Sequence, residues 1–82
     1  MNTQDVTREL IAQGANMRNI RIREVEADAY DVCCLVGING LWESYYWEGR
    51  GKQQLMTFTS EDEACDYFLA WVSKSFGLPA SN

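Results

Sequence analysis

The sequence predicts an α+β fold: a three- or four-stranded antiparallel meander sheet flanked by an N-terminal and a C-terminal helix, with residues 1–82 as one domain. Three observations predict it. An Asn39-Gly40 pair separates two strand-like runs, Tyr30 to Ile38 and Leu41 to Glu48, and a third run ends at Phe58. A strongly amphipathic segment with its own start signal follows from Ser60. A shorter helical pattern opens the chain.

The opening helix runs from Asn2 to about Gln13. Asn2 or Thr3 caps it, Asp5 sits in its first turn, and Val6, Leu10 and Ile11 form its apolar stripe. Gly14 offers a stop. In the next stretch Ile20 and Ile22 alternate with Arg21 and Arg23, which suits a short edge strand within residues 19–25. The Asn-Gly pair tolerates the positive φ of a two-residue type I′ turn, and such a loop sets the register. Ile38 then opposes Leu41, Val36 opposes Glu43, Cys34 opposes Tyr45 and Val32 opposes Trp47. The other face carries Asp31, Cys33 and Leu35 beside Trp42, Ser44 and Tyr46. Both faces are rich in large apolar groups, unlike a hairpin covered on one side only.

Gly49, Arg50 and Gly51 interrupt the second run before "QLMTFTS" resumes it. Ser60 and Glu63 form the pattern of a capping box, with Glu61 and Asp62 near the positive helix end. Ala64, Phe68, Trp71, Val72 and Ser75 trace one stripe, with Cys65 and Leu69 beside it. Lys74 suits the last turn, and Gly77 and Pro79 end the helix. Three strands about 4.8 Å apart and about 20 Å long present roughly 290 Å² per face. A helix of about fifteen residues shields roughly 220 Å². The C-terminal helix can cover one face and the shorter helix part of the remainder, so some aromatic surface stays open.

Charge and composition narrow the function. The 82 residues are 46% hydrophobic and 23% charged, which reads as globular, and no apolar run is long enough for a membrane span. The first ten residues lack the pattern of a secretory leader, and three cysteines are an odd number, so a cytoplasmic protein with buried thiols is expected. Seven Lys and Arg against twelve Asp and Glu give a net charge of −5, which favours a basic protein partner over nucleic acid. Histidine is absent, removing the commonest general base and metal ligand. The cysteines lack CxxC spacing, so no metal and no cofactor is expected. Gly49-Arg50-Gly51-Lys52 lacks the glycine and the Ser/Thr of a phosphate loop, having Tyr46 and Gln53 at those positions. The carboxylate groups Glu61-Asp62-Glu63 and Glu24, Glu26, Asp28 read as a helix cap and a solvated turn. No enzyme is expected.

The aromatics carry the positive signal. Trp42 and Tyr46 share a face with Leu35 and are expected in the core. Tyr45 and Trp47, with Glu43 and Glu48 nearby, are the expected contact residues, since Tyr and Trp are favoured in interfaces.

Residues 41–72 resemble one group of small immunity proteins that accompany bacterial polymorphic and contact-dependent growth inhibition toxins. The resemblance rests on Trp42, Tyr45-Tyr46, Glu48 to Gly51, Phe58, Ser60 to Glu63, and Ala64-Cys65 with Tyr67-Phe68. Gly49 departs from it by separating the glutamate from Arg50. The resemblance implies a cytoplasmic antidote that covers the active site of a cognate basic toxin domain, often a nuclease. The interface expected from charge, aromatics and resemblance together is Glu43, Tyr45, Trp47, Glu48, Arg50, Glu61 and Asp62. Either a monomer or a homodimer fits. The alternatives are a small adaptor or homodimerising module with no toxin partner, and a single-strand nucleic-acid binder using Arg18, Arg21, Arg23 and Arg50.

Overall fold

A computed structural model describes residues 1–24 and 30–78. The elements follow in the order α1 (Thr3–Ala12), a 3-10 turn (Met17–Asn19), β1 (Ile20–Ile22), β2 (Val32–Ile38), β3 (Leu41–Trp47), β4 (Lys52–Phe58) and α2 (Glu61–Ser75). The α+β class and its two terminal helices are as the sequence predicts. Pro79, Glu26 and Asp28 lie outside the described residues.

Local chemistry accounts for the helix starts. Asn2 caps α1: its side chain accepts from the Asp5 amide at 2.9 Å, while the Asp5 carboxylate accepts from the Asn2 amide at 3.0 Å. Ser60 caps α2 by accepting from the Glu63 amide at 3.3 Å. At the far end Gly77 takes a φ of +65°, which lets the Leu78 amide reach back to the Ser73 carbonyl at 2.8 Å. The buried stripe of α1 is Thr3, Val6 and Leu10. Ile11, expected on that stripe, is exposed, because it sits about 100° around the helix from Leu10.

The sheet order is β1-β2-β3-β4. From β2 to β4 it is the antiparallel meander, with the register expected from the Asn39-Gly40 turn, Cys34 opposite Tyr45 and Val32 opposite Trp47. Asn39 and Gly40 have φ values of +51° and +80°, as a type I′ turn requires. The fourth strand is present but runs parallel to β2, pairing Ile20 with Cys33 and Ile22 with Leu35, so the sheet is mixed. That register puts Ile20 and Ile22 under the helices and Arg21 on the opposite face.

Both helices pack on one face. The main core joins Val6 and Leu10 of α1, Ile20, Cys33 and Leu35 of the sheet, and Ala64, Cys65, Phe68 and Val72 of α2. Trp42 and Tyr46 pack against it, as expected of core residues. The Trp42 indole lies flat over Gly37, so close that a Cβ there would come within 2.8 Å of the ring. The shorter helix therefore does not shield the second face. It sits beside α2, tied to it by Ser73 Oγ donating to Gln13 Oε1 at 2.7 Å. The reason is mutual burial: α1 gains more by meeting α2 and β1 over one core than by standing alone on the opposite side.

Ser44 is fully buried in this layer, and its hydroxyl has no hydrogen-bond partner among the described residues. A desolvated, unpartnered hydroxyl opposes folding. Ser44→Ala is expected to leave the urea midpoint unchanged or raise stability by up to about 1 kcal/mol. A clear loss of stability in that variant would mean the hydroxyl is bonded.

Candidate functional site

Alternation along β2 and β3 sends Val32, Cys34, Val36 and Ile38, with Leu41, Glu43, Tyr45 and Trp47, to the face that no described helix covers. On β4, Thr57 opposite Glu43 and Lys52 opposite Trp47 join them. A bulge sits between: the register shifts at Ser44/Tyr46, so Gln54 and Leu55 together oppose Tyr45, and Gln54 takes a φ of +54°.

This face has its own small core of Val32, Cys34, Val36 and Tyr45, against which Trp47 packs. Tyr45 is only 2% exposed. Lys52 contributes to that burial. Its ammonium lies 5.0 Å from the Tyr45 ring centroid and donates to Glu43 Oε1 at 2.6 Å, so its stem crosses the ring. Burial raises the Tyr45 phenol above its ordinary range, and the neighbouring Cys34, to which it hydrogen-bonds, adds to the shift. Cys34 is itself raised, by burial, against the lowering effects of the Tyr45 hydrogen bond and the Arg21 charge.

The expected contact set divides. Tyr45 is not available to a partner; it is the centre of the second core. Glu43 is half-buried and already paired with Lys52. Trp47 is half-buried at the rim, and its indole N–H has no partner among the described residues. Glu48 and Arg50 are exposed in the β3–β4 turn, where Gly49, at a φ of +86°, packs under the Tyr30 ring. Glu61 and Asp62 belong elsewhere. Glu61 Oε2 accepts from the Thr3 amide at 3.1 Å, and Asp62 accepts from the N-terminal ammonium. Both carboxylates pin the start of the chain to α2 on the helix side. They do not share a surface with Tyr45 and Trp47, because both helices lie on the other face.

The exposed apolar groups of the helix-free face are different ones: Ile38 at 50%, Leu41 at 40% and Leu55 at 44%. Alternation from the turn places Ile38 and Leu41 on that face; Leu55 joins them by alternation with Thr57, opposite Glu43, in a β3–β4 register that no short turn signal fixes. The position of Lys52 opposite Trp47 follows from the bulge.

Charge is split between the layers. The helices carry Asp5, Glu9, Glu61, Asp62, Glu63 and Asp66 against only Arg8 and Lys74. The described sheet and turns are nearly balanced, with Arg18, Arg21, Arg23, Arg50 and Lys52 facing Glu24, Asp31, Glu43 and Glu48. The arginines form no single stripe: Arg21 donates to the Arg18 and Ile20 carbonyls at one edge, and Arg50 lies in the turn between β3 and β4.

Catalytic geometry does not emerge from the described residues. A polar hollow of about 250 Å³ lies among Asn2, Thr3, Gln4, Arg23 and Glu61, but its Thr3 amide and Glu61 carboxylate already satisfy each other. Among the described residues no group of three or more cysteine or acidic side chains is arranged to hold a metal ion. All three thiols are buried and free, and burial pushes Cys33 and Cys65 up to about 11, the opposite of what a nucleophile needs. No helix among the described residues is long and apolar enough to cross a membrane. No family model, no curated protein and no solved structure matches this chain.

Proposed function

We propose that this chain is a non-enzymatic binding domain that neutralises a cognate basic toxin domain, of the nuclease class, by docking the helix-free sheet face over its active site. The observation that carries the reading is the one-sided helix layer. It leaves Ile38, Leu41 and Leu55 exposed on a sheet face whose centre, Tyr45, is rigidly packed. A preorganised apolar face loses little entropy on binding. The toxin identity rests on the sequence resemblance of residues 41–72 to immunity proteins, and the net charge of −5 suits a phosphate-binding, basic partner. The acidic helices act at long range, steering such a partner, while the apolar face makes the contact.

The test is neutralisation in cells. Co-expression with the toxin domain encoded next to this chain is expected to restore growth and to yield a one-to-one complex. Leu41→Glu and Ile38→Glu, both at exposed positions, are expected to keep the fold by circular dichroism. Each is expected to weaken binding by roughly thirtyfold, the scale of an interface hot spot. Continued poisoning by the wild-type pair sinks the proposal.

A further inference from the structure

The edge strand β4 runs beside α2, and the two frame a groove. β4 ends the sheet order, so one side of its backbone has no strand partner among the described residues, and all of its residues but Phe58 are exposed. Met56 and Phe58 pair with Ser44 and Trp42, which puts them on the helix side of the strand. The flank of α2 holding Glu61 and Ser73 faces α1, as their bonds to Thr3 and Gln13 show. The opposite flank, with Tyr67 and Trp71, therefore faces the β4 edge. Phe58, Tyr67 and Trp71 form a continuous aromatic wall there: ring centroids are 5.4 Å apart for the first pair and 6.4 Å, stacked, for the second. Tyr67 and Trp71 are half-buried, and Met56 is 43% exposed. Glu63 and Asp66 stand exposed on the same helix.

We infer that this groove takes an extended segment of the partner as a fifth strand. Its backbone pairs with the Leu55–Phe58 half of β4, its alternate apolar or aromatic side chains lie against Met56 and Tyr67 within reach of Glu63 one turn earlier on α2, and the side chains between them point to the helix-free face. The bulge at Gln54 and Leu55 confines regular pairing to that half of the strand. Strand addition at an open edge draws affinity from main-chain hydrogen bonds and specificity from alternate side chains. This inference rests on the binding role proposed above.

Area and charge decide against a second copy as the occupant. The Leu55–Phe58 half of the strand, about 14 Å long, and a groove about 10 Å wide give roughly 140 Å² per side, far below the roughly 800 Å² that a stable dimer needs. Two-fold pairing through β4 also sets the acidic α2 of one copy beside that of the other, at −5 charges each. A larger basic partner meets neither obstacle. The exposed Ile38, Leu41 and Leu55 of the helix-free face extend its footprint beyond the strand edge.

A short synthetic peptide alternating lysine with valine and tyrosine is the probe, titrated into the full chain and followed by amide NMR and hydrogen exchange. Expected are shifts and slowed exchange at Leu55 to Phe58, with shifts at Tyr67 and Trp71. N-methylation of the peptide's central amides, Met56→Glu and Tyr67→Ala are each expected to weaken binding about tenfold, while Leu41→Glu leaves it unchanged. Shifts confined to the helix-free face, equal binding of the N-methylated peptide, or β4 protection that follows protein concentration without peptide would overturn the inference. If the peptide fails yet the toxin is neutralised, only the groove is wrong. If the peptide binds and neutralisation fails, the toxin reading is wrong.

Discussion

Replacing Tyr45 with alanine is expected to cost about 3–5 kcal/mol, the range for emptying a buried aromatic site. A domain of 82 residues has about 4–12 kcal/mol in total, so the variant loses between about a quarter and all of it. The ring is enclosed by Cys34, Val32, Val36 and Trp47 and crossed by Lys52, and no helix among the described residues stands ready to fill the gap. Tyr45→Phe keeps the ring and loses only the hydroxyl contact with Cys34, for about 1 kcal/mol. Urea titration followed by tryptophan fluorescence measures both. An alanine variant within about 1 kcal/mol of the wild type would mean that Tyr45 is a surface residue after all. The experiment separates the two roles that a tyrosine in this position could have: a contact residue changes affinity and spares stability, a core residue does the reverse.

Alkali should unfold the protein well before its tyrosines alone would require. Burial pushes Cys33 and Cys65 from 9.0 up to about 11, with the nearby Cys34 and Glu61 as the next contributions. Below pH 9 both folded and unfolded chains hold these protons, and the stabilising effect is constant. Between pH 9 and 11 the unfolded chain releases them and the folded chain retains them, so stability falls as pH rises. The shift corresponds to roughly 2–3 kcal/mol per thiol and roughly 5 kcal/mol for both, a large share of the total. Tyr46, raised to about 12 first by its 2.9 Å hydrogen bond to Asp31 and then by burial, adds to the fall above its own ordinary 10.0. Circular dichroism from pH 8 to 12 should show the loss, and a Cys33→Ala, Cys65→Ala variant should flatten it. An unchanged alkaline limb in that double variant would contradict the account. In the same frame, a thiol reagent at pH 8 should leave the native protein unmodified and label all three cysteines in urea.

Most of the fold was legible because its signals are local. Asn39-Gly40 has one favourable geometry between strands, and from it followed every pair of the β2–β3 ladder. Ser60 and Asn2 announce helices through amides that only a short polar side chain can satisfy. Trp42 and Tyr46 were placed in the core by parity with Leu35. The candidate site was legible only in part. Parity put Tyr45 and Trp47 on the second face, but burial on that face depends on Lys52, whose position follows from a bulge. Glu61 and Asp62 were expected near the aromatics and instead hold the first residues of the chain to α2. Leu55, Met56 and Tyr67 carried no signal as a group, being brought together by the packing of α2 along β4.

By itself the sequence determined which segments are helices and strands, the hairpin register, the net charge and the thiol chemistry. These depend on neighbours within a few positions, or on no geometry at all. Only the tertiary structure decided the direction of β1, the stacking of both helices on one side, and the bulge that brings Lys52 over Tyr45. Those outcomes compare whole arrangements by the apolar area each one buries, a quantity that no single stretch of chain contains.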